Sequence, residues 1–309
     1  MQQAKGLKIY DLRCSDKDTL PGPIVGLSIY TDTTPVSISP PVGARAATFY
    51  VMAGGGGGGG AGNTVTVNGN IVYSGGGGGG GSGSLVVETR SFSTTDQEIL
   101  KLQVGAGGAA GGVDANGNPT NGESGIASSI DFEIGGVRSY FINTDGGSRG
   151  LAPTAARLLS GNVQGGNGGG GAFGGGGGGG GKGTLDGDAN YGPGGDGGAS
   201  DSSFANQQSG KNGFSRSDGG AGGAGFPYNP STGLPGTTQF GGGGTGGGSV
   251  SPFTENPYGK GGDGATGGPP SVDTAAKAGT AGAIVIEWYG ALNSTSAQGA
   301  LSHPASLLF

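Results

Sequence analysis

Few residues of this chain could make or break bonds, and their spacing argues against it. His303 is the only histidine. It lies near the end of the sequence, where a Ser-His-Asp arrangement would rest on weakly anchored chain, so a surface histidine is the plainer reading. Asp131 and Glu133 are two residues apart and share one face of a strand. Nothing beside them sets their environments apart as acid-base catalysis requires, and they read as a solvated strand face. Cys14 is the only cysteine, so neither an intramolecular disulfide nor a Cys/His metal set can be assembled. Gly105-Ala106-Gly107-Gly108 follows a strand as a dinucleotide fingerprint would, but residues 113–119 cannot open the helix that must follow. Residues 176–182 imitate a phosphate loop, yet Gly183 stands where Ser or Thr must hold magnesium. Asp186, Asp188 and Asn190 alternate like the first ligands of a calcium loop. There Tyr191 replaces the turn glycine and Gly197 the terminal glutamate, and the competing reading is an exposed polar turn. The sequence therefore predicts no catalytic residue, no cofactor and no metal site beyond that imperfect calcium pattern.

If the chain does no chemistry, its composition must explain it. Glycine supplies 82 of 309 residues, about four times ordinary usage of ~7%. Each ordered glycine costs ~0.5–1 kcal/mol more than alanine in backbone freedom, so something other than side-chain packing must hold the glycines, and backbone hydrogen bonding is the candidate. The net charge of −6 and the absence of Lys/Arg clusters argue against binding nucleic acid or an anionic membrane. No stretch reaches the ~18 apolar residues of a membrane span, and the first 17 residues lack the apolar core of a signal peptide. Membrane insertion and export by that route are not expected.

The elements follow from local patterning. Residues 7–12 and 24–30 read as two short strands separated by Pro21-Gly22-Pro23. Within a segment spanning 1–45 they form either a separate attachment piece or extra strands of the main sheet. From Ala47 strands alternate with glycine runs: 48–53 leads into 54–60, and a hairpin of 64–67 and 71–73 around Asn68-Gly69 leads into 75–81. Residues 85–92 and 98–104 follow as strands, and 130–134 and 137–142 flank Gly135-Gly136 as a second hairpin. Residues 151–160 tolerate a helix of barely two turns. Residues 161–282 hold too few apolar side chains for a core. The run 283–289 is short and β-branched, as suits a buried strand, and 291–309 form a polar tail ending in Leu307-Leu308-Phe309.

A polyglycine II helix has three residues per turn and no internal hydrogen bonds, so its N–H and C=O groups all point outward toward neighbours. The runs 54–60, 75–81 and 174–181 are expected inside a bundle of such helices. Segments with glycine at every third position (192, 195, 198; 219, 222, 225; 261, 264, 267) are expected toward its exterior. Collagen would need far longer Gly-X-Y registers and more proline. The predicted fold is mostly β: a small β-sandwich-like sheet core fused to a bundle of polyglycine II helices and glycine-rich loops, with 46–290 as the module. Phe204, Phe226, Tyr228, Phe253 and Tyr258 stand out among aromatics scattered through the loops. They suit either a binding surface, where rings give contact area at low entropy cost, or plugs that seal the bundle ends.

The order of parts resembles the glycine-rich modules of tailed-phage tail fibres and receptor-binding adhesins. The residues that carry the likeness are 48–53 running into 54–60, Val104-Gly105-Ala106-Gly107-Gly108, and the closing Ala281-Gly282-Ala283-Ile284-Val285-Ile286-Glu287-Trp288. The resemblance covers roughly 47–289. It departs at the leading segment, at the strand-rich insert near 125–160 and at the tail. It implies a virion structural protein, made in the host cytoplasm and assembled as an oligomer or with other virion proteins. Its implied role is either recognition of a host surface protein or polysaccharide, with those five aromatics as the receptor-contact set, or pure architecture as a decoration or connector.

Overall fold

A computed structural model describes residues 22–61, 65–67, 70–72, 76–92, 98–153, 166–171, 246, 258–265 and 275–291. The described part is all β, without a helix. One antiparallel sheet is ordered β1-β10-β3-β6, from β1 (Ile24–Tyr30), β3 (Ala46–Met52), β6 (Leu85–Ser91) and β10 (Ala283–Tyr289). A second is ordered β2-β7-β8-β9, from β2 (Val36–Ile38), β7 (Glu98–Gln103), β8 (Ser129–Ile134) and β9 (Val137–Asn143). A separate pair joins β4 (Val65–Val67) to β5 (Asn70–Val72), as the Asn-Gly dipeptide between them predicts. The Gly135-Gly136 hairpin also forms, with both glycines at positive φ (59° and 81°), the backbone that a type I′ turn demands.

The leading stretch that the sequence leaves between attachment piece and added strands supplies one edge strand to each sheet. β1 pairs with β10, and β2 pairs with β7. The sequence expectation of a strand at 7–12 and of a helix at 154–160 falls outside the described residues. Residues 151–153 are not helical.

Side-chain alternation builds the core. Phe49 and Val51 of β3, Ile284, Ile286 and Trp288 of β10, Leu100 and Leu102 of β7, and Ile130 and Phe132 of β8 belong to one buried cluster, so the two sheets share a core. Phe49 is its centre, meeting Phe132 of the other sheet edge-on at 5.2 Å between ring centroids and Trp288 at 6.3 Å. Burying each such side chain contributes ~1.5–3 kcal/mol. Every residue of β10 is buried, because the far face of its sheet carries a second cluster of Tyr50, Met52, Leu85, Ala283 and Val285. That explains why 283–289 reads as a continuous apolar run instead of an alternating one. The single charged side chain of β10, Glu287, is buried on this second face. Its Oε2 accepts hydrogen bonds from the hydroxyls of Tyr289 at 2.8 Å and Tyr50 at 3.2 Å.

Candidate functional site

Six strands pass directly into glycine-rich segments beyond one end of the sheets. β3 leads into 54–60, β7 into 105–112 and β9 into 145–151, while 76–83, 120–127 and 277–282 lead back into β6, β8 and β10. Sheets that carry side chains pack ~10 Å apart, too far for backbone bonding between them. Glycine removes the spacer, and the chains close up.

The closure begins at Ser128, which is fully buried. Its hydroxyl donates to the Met52 carbonyl of the first sheet at 2.6 Å and accepts from the Gly105 amide at 2.8 Å. The Ser128 amide donates to Thr144 Oγ1 at 2.8 Å, and that hydroxyl donates back to the Ser128 carbonyl at 2.9 Å. Just beyond, the gap needs no side chain: the Gly54 amide donates directly to the Ile126 carbonyl at 3.0 Å. Ser128→Ala should therefore lower stability by ~1–3 kcal/mol, the cost of stranding buried polar groups, while Ser128→Thr should lose less if the added methyl is accommodated. Urea unfolding followed by Trp288 fluorescence would measure both.

Residues 54–60 form the centre of a glycine lattice. Their amides donate in rotation to three neighbours: Gly54, Gly57 and Gly60 to Ile126, Glu123 and Thr120; Gly55 and Gly58 to Thr280 and Lys277; Gly56 and Gly59 to Gly81 and Gly78. Their carbonyls accept from three other segments: Gly55 and Gly58 from Gly108 and Gly111, Gly54 and Gly57 from Gly147 and Gly150, Gly56 and Gly59 from Gly262 and Ala265. These bonds measure 2.8–3.0 Å. The repeat is three residues throughout, and the three donor-side neighbours run antiparallel while the three acceptor-side neighbours run parallel.

Only glycine fits there. A Cβ at any position from 54 to 60 would fall under 3.0 Å from a neighbour's backbone. The same holds at Gly105, Gly108 and Gly111, at Gly122 and Gly125, at Gly147 and Gly150, at Gly166 and Gly169, and at Gly279 and Gly282. The registers at 105–111, 122–125 and 147–150 lie outside both the long glycine runs and the glycine-dominated region 161–282. The signal was present as glycine at i and i+3 on either side of ordinary strands. Residues between the inward glycines, such as Ala109, Glu123 and Ser148, are exposed. Of the triplets singled out from sequence, Gly261 and Gly264 are buried, and the rest fall outside the described residues.

The lattice also disposes of the dinucleotide resemblance at 105–108. The Gly108 amide is bonded to the Gly55 carbonyl, and the carbonyls of Gly105 and Gly108 accept from Gly282 and Gly279, so these groups face protein instead of a ligand cleft. Asp131 and Glu133 do not form an acid-base pair either. Asp131 Oδ1 lies 2.6 Å from Arg138 Nε and Glu133 Oε1 lies 2.7 Å from Lys101 Nζ, so each carboxylate has its own cation.

Two features trim the rim. Residues 113–119 form a tight hairpin at the end remote from the sheets, closed by the Val113–Pro119 bridge. There the Asn118 side chain, and then backbone amides, bond to Asp114 and hold its carboxyl below the ordinary value. On a lateral face Asp263 ties three segments together, accepting from the Gly246 amide and from Lys277 Nζ, each at 2.9 Å. Burial alone would raise its carboxyl, but those donors outweigh burial and hold it below the ordinary value.

Of the predicted contact aromatics, Phe204, Phe226, Tyr228 and Phe253 lie outside the described residues, as do Asp186, Asp188, Asn190 and the run at 174–181. Tyr258 is described. It sits at the sheet end of its segment, half-buried against the second cluster, and burial raises its hydroxyl pKa. Among the described residues no group of three or more metal-ligating side chains converges, and no helix is long and apolar enough to cross a membrane.

A pair of antiparallel sheets whose strands extend into backbone-bonded glycine segments defines a glycine-rich β protein. The chain belongs to the family described as glycine-rich domain, which matches residues 31–289. The match starts at the approach to β2 and stops at the last residue of β10, and so takes in nine of the ten strands among the described residues. No curated protein matches the chain.

Proposed function

We propose that this chain is a structural component of a tailed-phage virion, a tail-fibre or tail-tip module that recognises the host surface. In this reading the glycine segments are polyglycine II helices, bundled on a β-sandwich formed by the two sheets. The observation that carries it is the bonding of residues 54–60 to six neighbouring segments with a three-residue repeat. Three residues per turn with outward-pointing amides is the geometry of that helix. A bundle held this way offers no reactive group and makes a stiff mount for loops. The likeness to phage fibre modules at 48–60, 104–108 and 281–288 supports the virion assignment, with other virion proteins and a host surface protein or polysaccharide as partners.

Within the contact set, the half-buried position of Tyr258 favours the sealing role for that ring. Tyr228, between Pro227 and Pro230, leads the remaining candidates because stiffened loops lose less entropy on binding. Changing Tyr228 and Phe253 together to Ser should abolish adsorption of the protein or particle to host cells while folding and assembly persist. Normal adsorption by the folded double variant would refute this contact region. Loss of assembly in its place would favour the decoration or connector role.

A further inference from the structure

Asparagine is a thermolabile residue, and it is most labile when glycine follows, because no side chain then shields the backbone nitrogen that attacks the side-chain amide. Three such pairs lie among the described residues: Asn116-Gly117, Asn121-Gly122 and Asn167-Gly168. Local sequence alone would give all three the same fate. The fold separates them.

For the reaction, the glycine nitrogen must swing onto the Cγ atom of the preceding asparagine. The peptide between them must turn, and its neighbours must let it. Asn121-Gly122 is fixed in the glycine lattice. The Gly122 amide donates to the Gly150 carbonyl at 3.1 Å, and the flanking amides of Thr120 and Glu123 donate to the carbonyls of Gly112 and Ala109, each at 2.9 Å. Gly122 is buried, and Asn121 Oδ1 accepts from the Ala152 amide at 2.8 Å. Asn167-Gly168 is pinned in the same way. The amides of Gly166 and Gly169 on either side donate to the carbonyls of Gly76 and Gly79 at 2.9 and 2.8 Å, and the Asn167 carbonyl accepts from the Leu151 amide at 2.8 Å.

Asn116-Gly117 lies beyond the lattice, in the 113–119 hairpin at the end remote from the sheets. Residues 112–116 and Asn118 are all exposed. Gly117 sits at φ 79°, and its amide donates to the Asp114 carbonyl at 3.0 Å, a bond internal to the turn. The Asp114 carboxyl takes the amides of Asn116 and Asn118, and the Val113–Pro119 bridge closes the hairpin. Opening this tip breaks a few local, exposed bonds. Freeing either of the other two pairs requires the lattice to part.

We propose that Asn116 is a site of spontaneous deamidation and isoaspartate formation, and that the lattice protects Asn121 and Asn167 from the same reaction. The Gly117 nitrogen forms a bond to Asn116 Cγ, and the bond from Cγ to the side-chain nitrogen breaks. That nitrogen leaves as ammonia, carrying the proton of the Gly117 amide. The five-membered imide then takes up one water. Opening on one side leaves aspartate at 116, and opening on the other leaves isoaspartate, with the main chain routed through Cβ. Either product adds a second carboxylate to the tip that holds Asp114.

Ageing the folded full chain at mildly alkaline pH, beside the same chain unfolded in urea, tests this. Peptide mass spectrometry reads the change from amide to acid, with fragmentation to place it at 116 or 121, and protein-isoaspartate methyltransferase labels the isoaspartate. Each folded rate is divided by the rate of the same site in urea, which removes the influence of neighbouring residues. That ratio should be at least about tenfold higher at Asn116 than at Asn121 or Asn167, because only the lattice sites wait for a large opening. Equal ratios at the three sites, or a higher ratio at Asn121 or Asn167, overturn the proposal. So does a folded chain that stays intact at Asn116 while the unfolded chain reacts there.

Discussion

Gly57→Ala is expected to lower the unfolding free energy by more than about 4 kcal/mol, at the extreme of what single substitutions do. The added methyl would lie under 3.0 Å from the backbone of Ala109 and Gly108. Neither can yield locally, because the Ala109 carbonyl accepts from the Glu123 amide and the Gly108 amide donates to Gly55. Moving segment 105–111 away would also stretch the Gly111 to Gly58 bond. Each strained bond forfeits ~0.5–1.5 kcal/mol net, more where a buried group is left unpaired. Against this, alanine's smaller loss of backbone freedom returns only ~0.5–1 kcal/mol. Gly112→Ala is the matched control: a Cβ there has nothing within 4 Å and its φ is not positive. That variant should be neutral or gain ~0.4–1 kcal/mol through the unfolded chain. Denaturant titration of the pair separates close packing from a general intolerance of non-glycine residues. Equal effects in the two variants would refute the packing argument.

Arg90→Ala is expected to cost ~3 kcal/mol, because it leaves the buried carboxylate of Glu98 without its half-buried cation. Arg90 lies on β6, an edge of the first sheet, and closes the gap to β9, an edge of the second. Its guanidinium sits 4.4 Å over the Phe132 ring and 5.0 Å from that of Tyr140, and Nη2 is 2.9 Å from Oε1 of the buried Glu98. Contact distance and hydrogen-bond direction disagree here. The ion pair is close, yet Glu98 Oε1 and Arg90 Nη1 have no well-aligned partner, which places the cost at the lower end of the usual range. Arg90→Lys should recover little, since an ammonium cannot stack flat on two rings. Adding Glu98→Gln to Arg90→Ala should recover part of the loss by removing the stranded charge. Thermal unfolding of the four proteins reads this out, and an Arg90→Ala variant as stable as the wild type would show that the Arg90 contacts contribute nothing.

Strand positions were legible because their signals are local. β-Branched and aromatic runs marked β3 and β10, alternation of apolar with polar residues marked β7, and Gly135-Gly136 marked the turn between β8 and β9. Their partnership was not legible. β10 inserts between β1 and β3, more than two hundred residues earlier in the chain, and nothing in 283–289 names its neighbours. The glycine runs at 54–60 and 76–81 were recognisable as backbone-bonded segments, but most of their partners were not. Gly122, Gly125, Gly147 and Gly150 sit among Ser, Glu and Arg, and their spacing of three acquires meaning only once 54–60 is seen to need neighbours with no inward side chain. Ser128 and Thr144 had no sequence signature at all. Their hydroxyls matter because two sheets converge at that level, a property of the assembled chain and not of any window of residues. The aromatic contact set rested on composition alone, and composition could not tell that Tyr258 lies against the sheet.

Amide hydrogen exchange of residues 54–60 tests the central claim most directly. If these glycines are bonded through their backbones to six neighbours, their amides should exchange as slowly as those of the central strands β3 and β10, opening only with global unfolding. Protection of about a thousandfold or more over an unstructured glycine peptide is the expected result. Exchange of those amides at free-peptide rates, in protein whose strand amides stay protected, would contradict the account.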